Sequence, residues 1–208
     1  LKKCSRFWII LFKTILSKLY HWKIYVVGSV EYQYPNHLFQ AGYFLDKKYY
    51  DENTIDFKHL LLSEKNQSLL KDIQNSNSVG VHIRRGDYMT KQNLVIFGNI
   101  CTQKYYHDAI RIITEKVNDA VFYVFSDDIS WVQTHLDIPN AVYVNWNTGE
   151  SSIYDMYLMS SCKYNIIANS TFSYWAARLN KKTNMVIYPS KWYNTFTPDI
   201  FPESWCGI

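Results

Sequence analysis

VGVHIRRGDYMT, residues 79–90, opens as a buried-looking apolar run and turns abruptly into His82, Arg84, Arg85 and Asp87. A run of this length and composition fits a strand buried on both faces of a parallel sheet. From it a rhythm runs outward. AVFYVF (120–125), AVYVNW (141–146), YNIIA (164–168) and NMVIYP (184–189) repeat the apolar, β-branched pattern. Between these runs, residues 104–117, 129–136, 153–161 and 172–179 carry helical periodicity. Apolar strands alternating with helices predict an α/β fold with a parallel sheet covered on both faces.

The polar residues then fall in one place. HIRRGD, FSDD, NWN, ANSTFS and YPSKW each follow a strand, so all five clusters lie on the C-terminal edge, where open α/β sheets bind ligands. Solvated loops explain polarity there, but not paired arginines, paired aspartates and a Ser/Thr-rich turn together.

Before residue 78 the pattern is less regular. It gives an amphipathic helix over 6–19, a strand over 23–30, an aromatic stretch over 42–52, a helix over about 58–73 and a polar linker, 74–78. Residues 1–77 read as the remnant of a preceding domain and 78–208 as the domain of the sheet. The apolar run 7–12 falls far short of the roughly 20 residues that span a bilayer. Leu1 is not an initiator Met and no signal peptide is visible, so a fragment with its true N-terminus upstream is the expectation.

Composition removes several classes. Hydrophobic residues make up 48% and charged residues 19%, which excludes wholesale disorder. The 22 Lys and Arg against 18 Asp and Glu are scattered rather than striped, so a nucleic-acid partner has no electrostatic footprint. The 18 Tyr and 7 Trp suit a protein that stacks rings on sugars, and equally a core of large side chains. Cys4, Cys101, Cys162 and Cys206 form no CxxC pair, which points to free thiols rather than a metal site or disulfide framework. GxGxxG and GxxxxGK[ST] are both missing, so phosphates, if bound, are held by side-chain cations and a helix start.

Chemistry narrows the clusters. The guanidinium forks of Arg84 and Arg85 suit a pyrophosphate if the strand ends near Arg84, although one of them pairing with Asp87 is the plainer alternative. Asp87 either orients an arginine or faces the reacting centre. Ser170 and Thr171 stand where a helix N-cap belongs, and the helix start behind them is a natural anion site or simply a capped end. Asp127 and Asp128 offer acceptors for a guanine edge or a cation, or cap the helix that follows. Asn66-Gln67-Ser68 and Asn169-Ser170-Thr171 match glycosylation sequons, which carry little weight without a secretory signal.

VGVHIRRGDY (79–88), FYVFSDDISW (122–131) and NSTFSYWAARL (169–179), in that order, resemble the α-1,2-fucosyltransferase family of inverting glycosyltransferases, bacterial members especially; GYFLDKKYY (42–50) and CTQKYYHDAI (101–110) echo it more faintly. The resemblance covers about residues 40–192. It implies a GT-B-like fold of two Rossmann-like halves, with 78–208 as the GDP-fucose-binding half and 1–77 left from the acceptor side. It implies metal-independent transfer of L-fucose from GDP-fucose to a galactose-terminated glycan, in a cytoplasmic protein with peripheral association at a bacterial inner membrane. Arg84 and Arg85 then correspond to the pyrophosphate clamp, His82 with Asp127 or Asp128 to guanine and ribose contacts, and Asn169, Ser170, Thr171 and Ser173 to the second phosphate grip. Asp87 is the nearest carboxylate for a base. Tyr43, Tyr49, Tyr88 and the loop 91–99 are candidate acceptor contacts. The family's glycine-rich segment of the GGLGNQMFQYA kind is not found in the chain, so a non-catalytic nucleotide-sugar- or glycan-binding fragment or pseudoenzyme stands as the alternative, beside a fucosyltransferase of different linkage.

Overall fold

The computed structural model describes residues 56–208, together with the backbone of two short strands before them. Those strands, β1 (Tyr25–Val27) and β2 (Phe39–Ala41), pair in parallel. They belong to a unit of residues 1–50 with 198–200; a second unit holds residues 51–197 and 201–208. The expected helix over 6–19, the aromatic stretch 42–52, Tyr43 and Tyr49 lie outside the described residues.

The second unit runs α1 (Glu64–Asn75), β3 (Asn77–Ile83), α2 (Lys91–Phe97), α3 (Gln103–Lys116), β4 (Ala120–Ser126), α4 (Ile129–His135), β5 (Ala141–Val144), α5 (Ser152–Ser160), β6 (Tyr164–Ile166), α6 (Thr171–Arg178), β7 (Met185–Tyr188) and β8 (Cys206–Gly207). Its six strands form one sheet in the order β5-β4-β3-β6-β7-β8, and every neighbouring pair is parallel. The chain steps from β3 to one side, then returns to lay β6 on the other side of β3. Renumbered from its first strand, this is the 3-2-1-4-5-6 order, whose ligand crevice opens where the direction reverses. That point lies between the C-terminal ends of β3 and β6.

Alternation within the strands builds two cores. On one face Val79, Val81, Ile83, Phe122, Val124 and Ile166 pack with Tyr106, Ala109, Ile110 and Ile113 of α3. On the other, Tyr123, Phe125, Val144 and Val186 pack with Leu69 and Ile73 of α1, Leu158 and Met159 of α5, and Ala176 and Ala177 of α6. Each large aliphatic side chain so buried contributes roughly 1.5–3 kcal/mol. Gly80 lets α5 come close: a Cβ there would lie 2.8 Å from Asn165 Nδ2 and 3.0 Å from Met159 Cγ.

Three local details differ from the sequence expectation. The helix expected from about 58 begins at Glu64, because Ser63 caps it by accepting the Asn66 N–H (3.3 Å); this helix precedes residue 78 and packs on the sheet. Residues 91–99, expected as a loop, contain α2. Thr90 caps it by accepting the Asn93 N–H (3.3 Å), which outweighs the strand-like run Leu94-Val95-Ile96. The two-residue β8 closes the β7 edge and was not expected.

Candidate functional site

β3 ends at Ile83, so Arg84 and Arg85 both leave the sheet and neither is tied to the pleat. A 3-10 turn, Gly86–Met89, then folds Asp87 back beside Arg84. Arg84 Nη2 donates to Asp87 Oδ1 (2.5 Å) and Nη1 to Asp127 Oδ2 (2.6 Å). The second Asp127 oxygen accepts the Arg85 backbone N–H (2.9 Å). This carboxylate sits against Gly86, where a Cβ would lie 2.5 Å from Asp127 Oδ2. Any larger residue here would displace the carboxylate.

Arg85 is held by different means. Its Nε donates to Asp128 Oδ2 (3.1 Å), and its guanidinium lies 3.7 Å from the centre of the Trp131 ring. Asp128 also caps α4, Oδ1 accepting the Trp131 N–H (3.1 Å). Its carboxyl is held below the usual carboxylate range, first by the Arg85 hydrogen bond and then by the Trp131 N–H. Asp127 thus fixes Arg84, while Asp128 fixes both Arg85 and the platform on which it lies.

Across the crevice, Ser170 precedes α6 in extended conformation and makes no side-chain cap bond, leaving the helix start without one. Thr171 is the first residue of the helix and is half-buried. Ser173 turns inward: its Oγ accepts the Ala168 N–H (3.2 Å) and donates to the carbonyl of Ala168 or Ser170 (3.3 Å each). Asn169 is a structural tie. Its Nδ2 donates to Trp192 O (3.0 Å) and Phe97 O (3.3 Å), and its Oδ1 accepts the Cys101 thiol (3.3 Å). One side chain therefore binds the end of α2, the segment just before α3 and the loop after β7.

Beneath the arginines, His82 is buried, with its ring 5.0 Å from that of Phe172 in the first turn of α6. Its Nδ1 has no hydrogen-bond partner among the described residues. Burial, and then the Arg84 charge, hold the imidazole neutral, with its pKa lowered to about 3. An unpaired buried nitrogen is costly unless something else meets it. Tyr88 spans the same crevice: its ring faces Arg84 (5.5 Å) and stacks on Phe97 (4.5 Å), and its hydroxyl donates to Asn169 O (2.9 Å). Burial raises its pKa to about 12.

The structure brings His82, Arg84, Arg85, Asp87, Asp127 and Asp128 into one cluster beside the start of α6, while the side chains of Asn169 and Ser173 serve the turn itself. Trp131 escaped the sequence reading, and Tyr88 was read only as an acceptor contact. Aromatics one to four residues beyond paired charges were the available signal. A second polar group follows β5: Asn147 Nδ2 donates to Asp155 Oδ1 (2.6 Å) and Asn66 Oδ1 (3.1 Å), and Trp146 Nε1 donates to Asn66 Oδ1 (2.8 Å). Both sequon asparagines, Asn66 and Asn169, are buried and hydrogen-bonded, so neither side chain is open to glycosylation in the folded chain. Cys101, Cys162 and Cys206 are free thiols. Among the described residues no helix is long and apolar enough to cross a membrane.

The family model Glycosyl transferase family 11 matches residues 9–208. The chain is 35% identical over 196 residues to an alpha-1,2-colitosyltransferase of Escherichia coli, covering 87% of this chain and 63% of that protein. It is 44% identical over 122 residues to the O-antigen biosynthesis glycosyltransferase WbnK of Escherichia coli, covering 58% and 40%. To galactoside alpha-(1,2)-fucosyltransferase 2 of Pongo pygmaeus it is 28% identical over 163 residues, covering 72% and 48%. The chain thus spans 40% to 63% of the length of these curated relatives.

Proposed function

The chain belongs to glycosyl transferase family 11, and from that premise we propose that it serves the transfer of L-fucose from GDP-fucose to the 2-hydroxyl of a galactoside. The supporting observation is the meeting of two arginines and a helix start without a side-chain cap on either side of the β3–β6 crevice, beside a buried histidine nitrogen without a partner among the described residues. Cations and helix-start amides suit a diphosphate. His82 Nδ1 and the carboxylates after β4 suit the polar edge of guanine and the ribose hydroxyls.

In this reading the bond between fucose C1 and the β-phosphate oxygen breaks with its electron pair going to the phosphate. Arg84 and Arg85 stabilise the charge that develops there. The acceptor oxygen forms the new bond to C1 from the opposite face, and its proton passes to a carboxylate, for which Asp87 is the candidate. The arginines take the role a metal plays elsewhere, so transfer persists in EDTA.

A second reading keeps the site and changes the sugar, because the Escherichia coli relative that covers 87% of this chain is named a colitosyltransferase. Measuring GDP release with lactose and either GDP-fucose or GDP-colitose separates the two. Lactose-dependent release with GDP-fucose supports the first, and release with GDP-colitose alone supports the second. GDP binding without release from either donor favours a non-catalytic nucleotide-sugar-binding chain.

A further inference from the structure

The charge at the sheet edge opposes the anion that the donor-site reading brings to it. Arg84 and Arg85 supply two positive charges, and Asp87, Asp127 and Asp128, all within ion-pair distance of them, supply three negative ones. The cluster is net negative by one. Both terminal nitrogens of Arg84 are already held by carboxylates. A diphosphate approaching this fork meets like charge, so one carboxylate must yield.

The three are not held alike. Asp127 bonds Arg84 and the Arg85 N–H with its two oxygens and is wedged against Gly86. Asp128 bonds Arg85 with one oxygen and caps α4 with the other. Among the described residues, Arg84 is the one hydrogen-bond partner of the Asp87 carboxylate. The Asp87 side chain is 57% exposed, against 26% for Asp127. It is also carried on a turn of only four residues.

We infer that Asp87 is a stand-in for the donor phosphate: it holds Nη2 of Arg84 until a diphosphate takes that place, and is then released beside the reacting centre. This rests on the donor-site reading and deepens it. The exchange gives an order to the reaction. The carboxylate that can take the acceptor's proton is engaged by Arg84 before donor binds and free of it afterwards, so the donor binds first.

The test is calorimetric titration of the full chain with GDP, beside Asp87→Asn, Asp87→Glu and Arg84→Ala. Removing a competing carboxylate from an exposed pair should tighten GDP binding by about two- to fivefold in Asp87→Asn, abolish transfer, and leave Asp87→Glu with wild-type affinity. Unchanged or weaker GDP binding in Asp87→Asn overturns the inference, since an orienting carboxylate would give that result. If the wild-type chain binds no GDP, or Arg84→Ala binds it as well as wild type does, the donor-site reading itself fails and the exchange falls with it.

Discussion

Arg85 lies 3.7 Å above the Trp131 ring while Asp128 holds both ends of that arrangement, bonding the Arg85 Nε and the Trp131 N–H with its two oxygens. The guanidinium is thus fixed in plane and direction before any ligand arrives. Preorganised charge avoids the cost of ordering a long side chain during binding.

Trp131 is therefore predicted to matter for nucleotide binding without being a ligand itself. A cation over an indole contributes about 0.5–1 kcal/mol at an exposed site and about 2 when desolvated. Trp131→Leu should weaken GDP affinity roughly three- to tenfold, and Trp131→Phe should retain most of it. Calorimetric titration of both variants checks this; equal loss in the two would remove the ring's role.

Gly86→Ala is predicted to act through Asp127. The added methyl meets the carboxylate at 2.5 Å, so Asp127 must leave its seat and both of its contacts to the arginines loosen. GDP affinity should fall at least about tenfold, because a charge-assisted hydrogen bond contributes roughly 1.5–3 kcal/mol. Thermal stability should fall little, since residue 86 lies in an exposed turn. A large melting shift with unaltered GDP affinity would contradict the assignment.

Asn169 separates support from ligand contact. Asn169→Ala removes bonds to Phe97 and Trp192 and strands two carbonyls, at about 1–3 kcal/mol for each group left unsatisfied. Asn169→Asp should be worse, because it buries a negative charge against those same carbonyl oxygens. Denaturant melts of the two variants rank them, and the reverse order would point to a cation or donor meeting residue 169 instead.

Asp155 predicts a pH effect. Burial raises its pKa to about 7, from an ordinary 3.8, with the Asn147 hydrogen bond opposing. Between those values the folded chain holds a proton that the unfolded chain has lost, so this group's contribution to stability falls as pH rises from about 4 to 7 and is level above that. The buried His82, neutral down to about 3, acts in the opposite sense on acidification below its ordinary 6.5. Comparing Asp155→Asn with wild type cancels the shared term. The variant's relative stability should rise from pH 5 to 7.5 in thermal melts, and a flat difference would refute the assignment.

What was legible in the sequence was the part dictated by burial on both faces. Strands such as Val79–Ile83 must be apolar on successive residues, so their abrupt ends mark the sheet edge and the charges placed there. Helix α2 was hidden, and residues 91–99 read as a loop, because the segment is too short for a clear helical period and one hydroxyl, that of Thr90, caps its start. The inward turn of Asn169 was hidden too, since its partners lie 23, 68 and 72 residues away. Paired charges could be seen in FSDDISW, but not that Asp127 and Asp128 divide the two arginines between them. That division depends on the β3–β4 register, in which Ile83 pairs with Ser126.

The central claim, that this sheet edge binds the GDP of a sugar donor through its arginines, is met most directly by calorimetric titration of the chain with GDP, UDP and ADP in EDTA, repeated with Arg84→Ala. The account predicts GDP-selective binding that survives chelation and is weakened roughly ten- to 100-fold in the variant, since a charge-assisted hydrogen bond contributes roughly 1.5–3 kcal/mol. Equal binding of all three nucleotides, or wild-type affinity in Arg84→Ala, would contradict it.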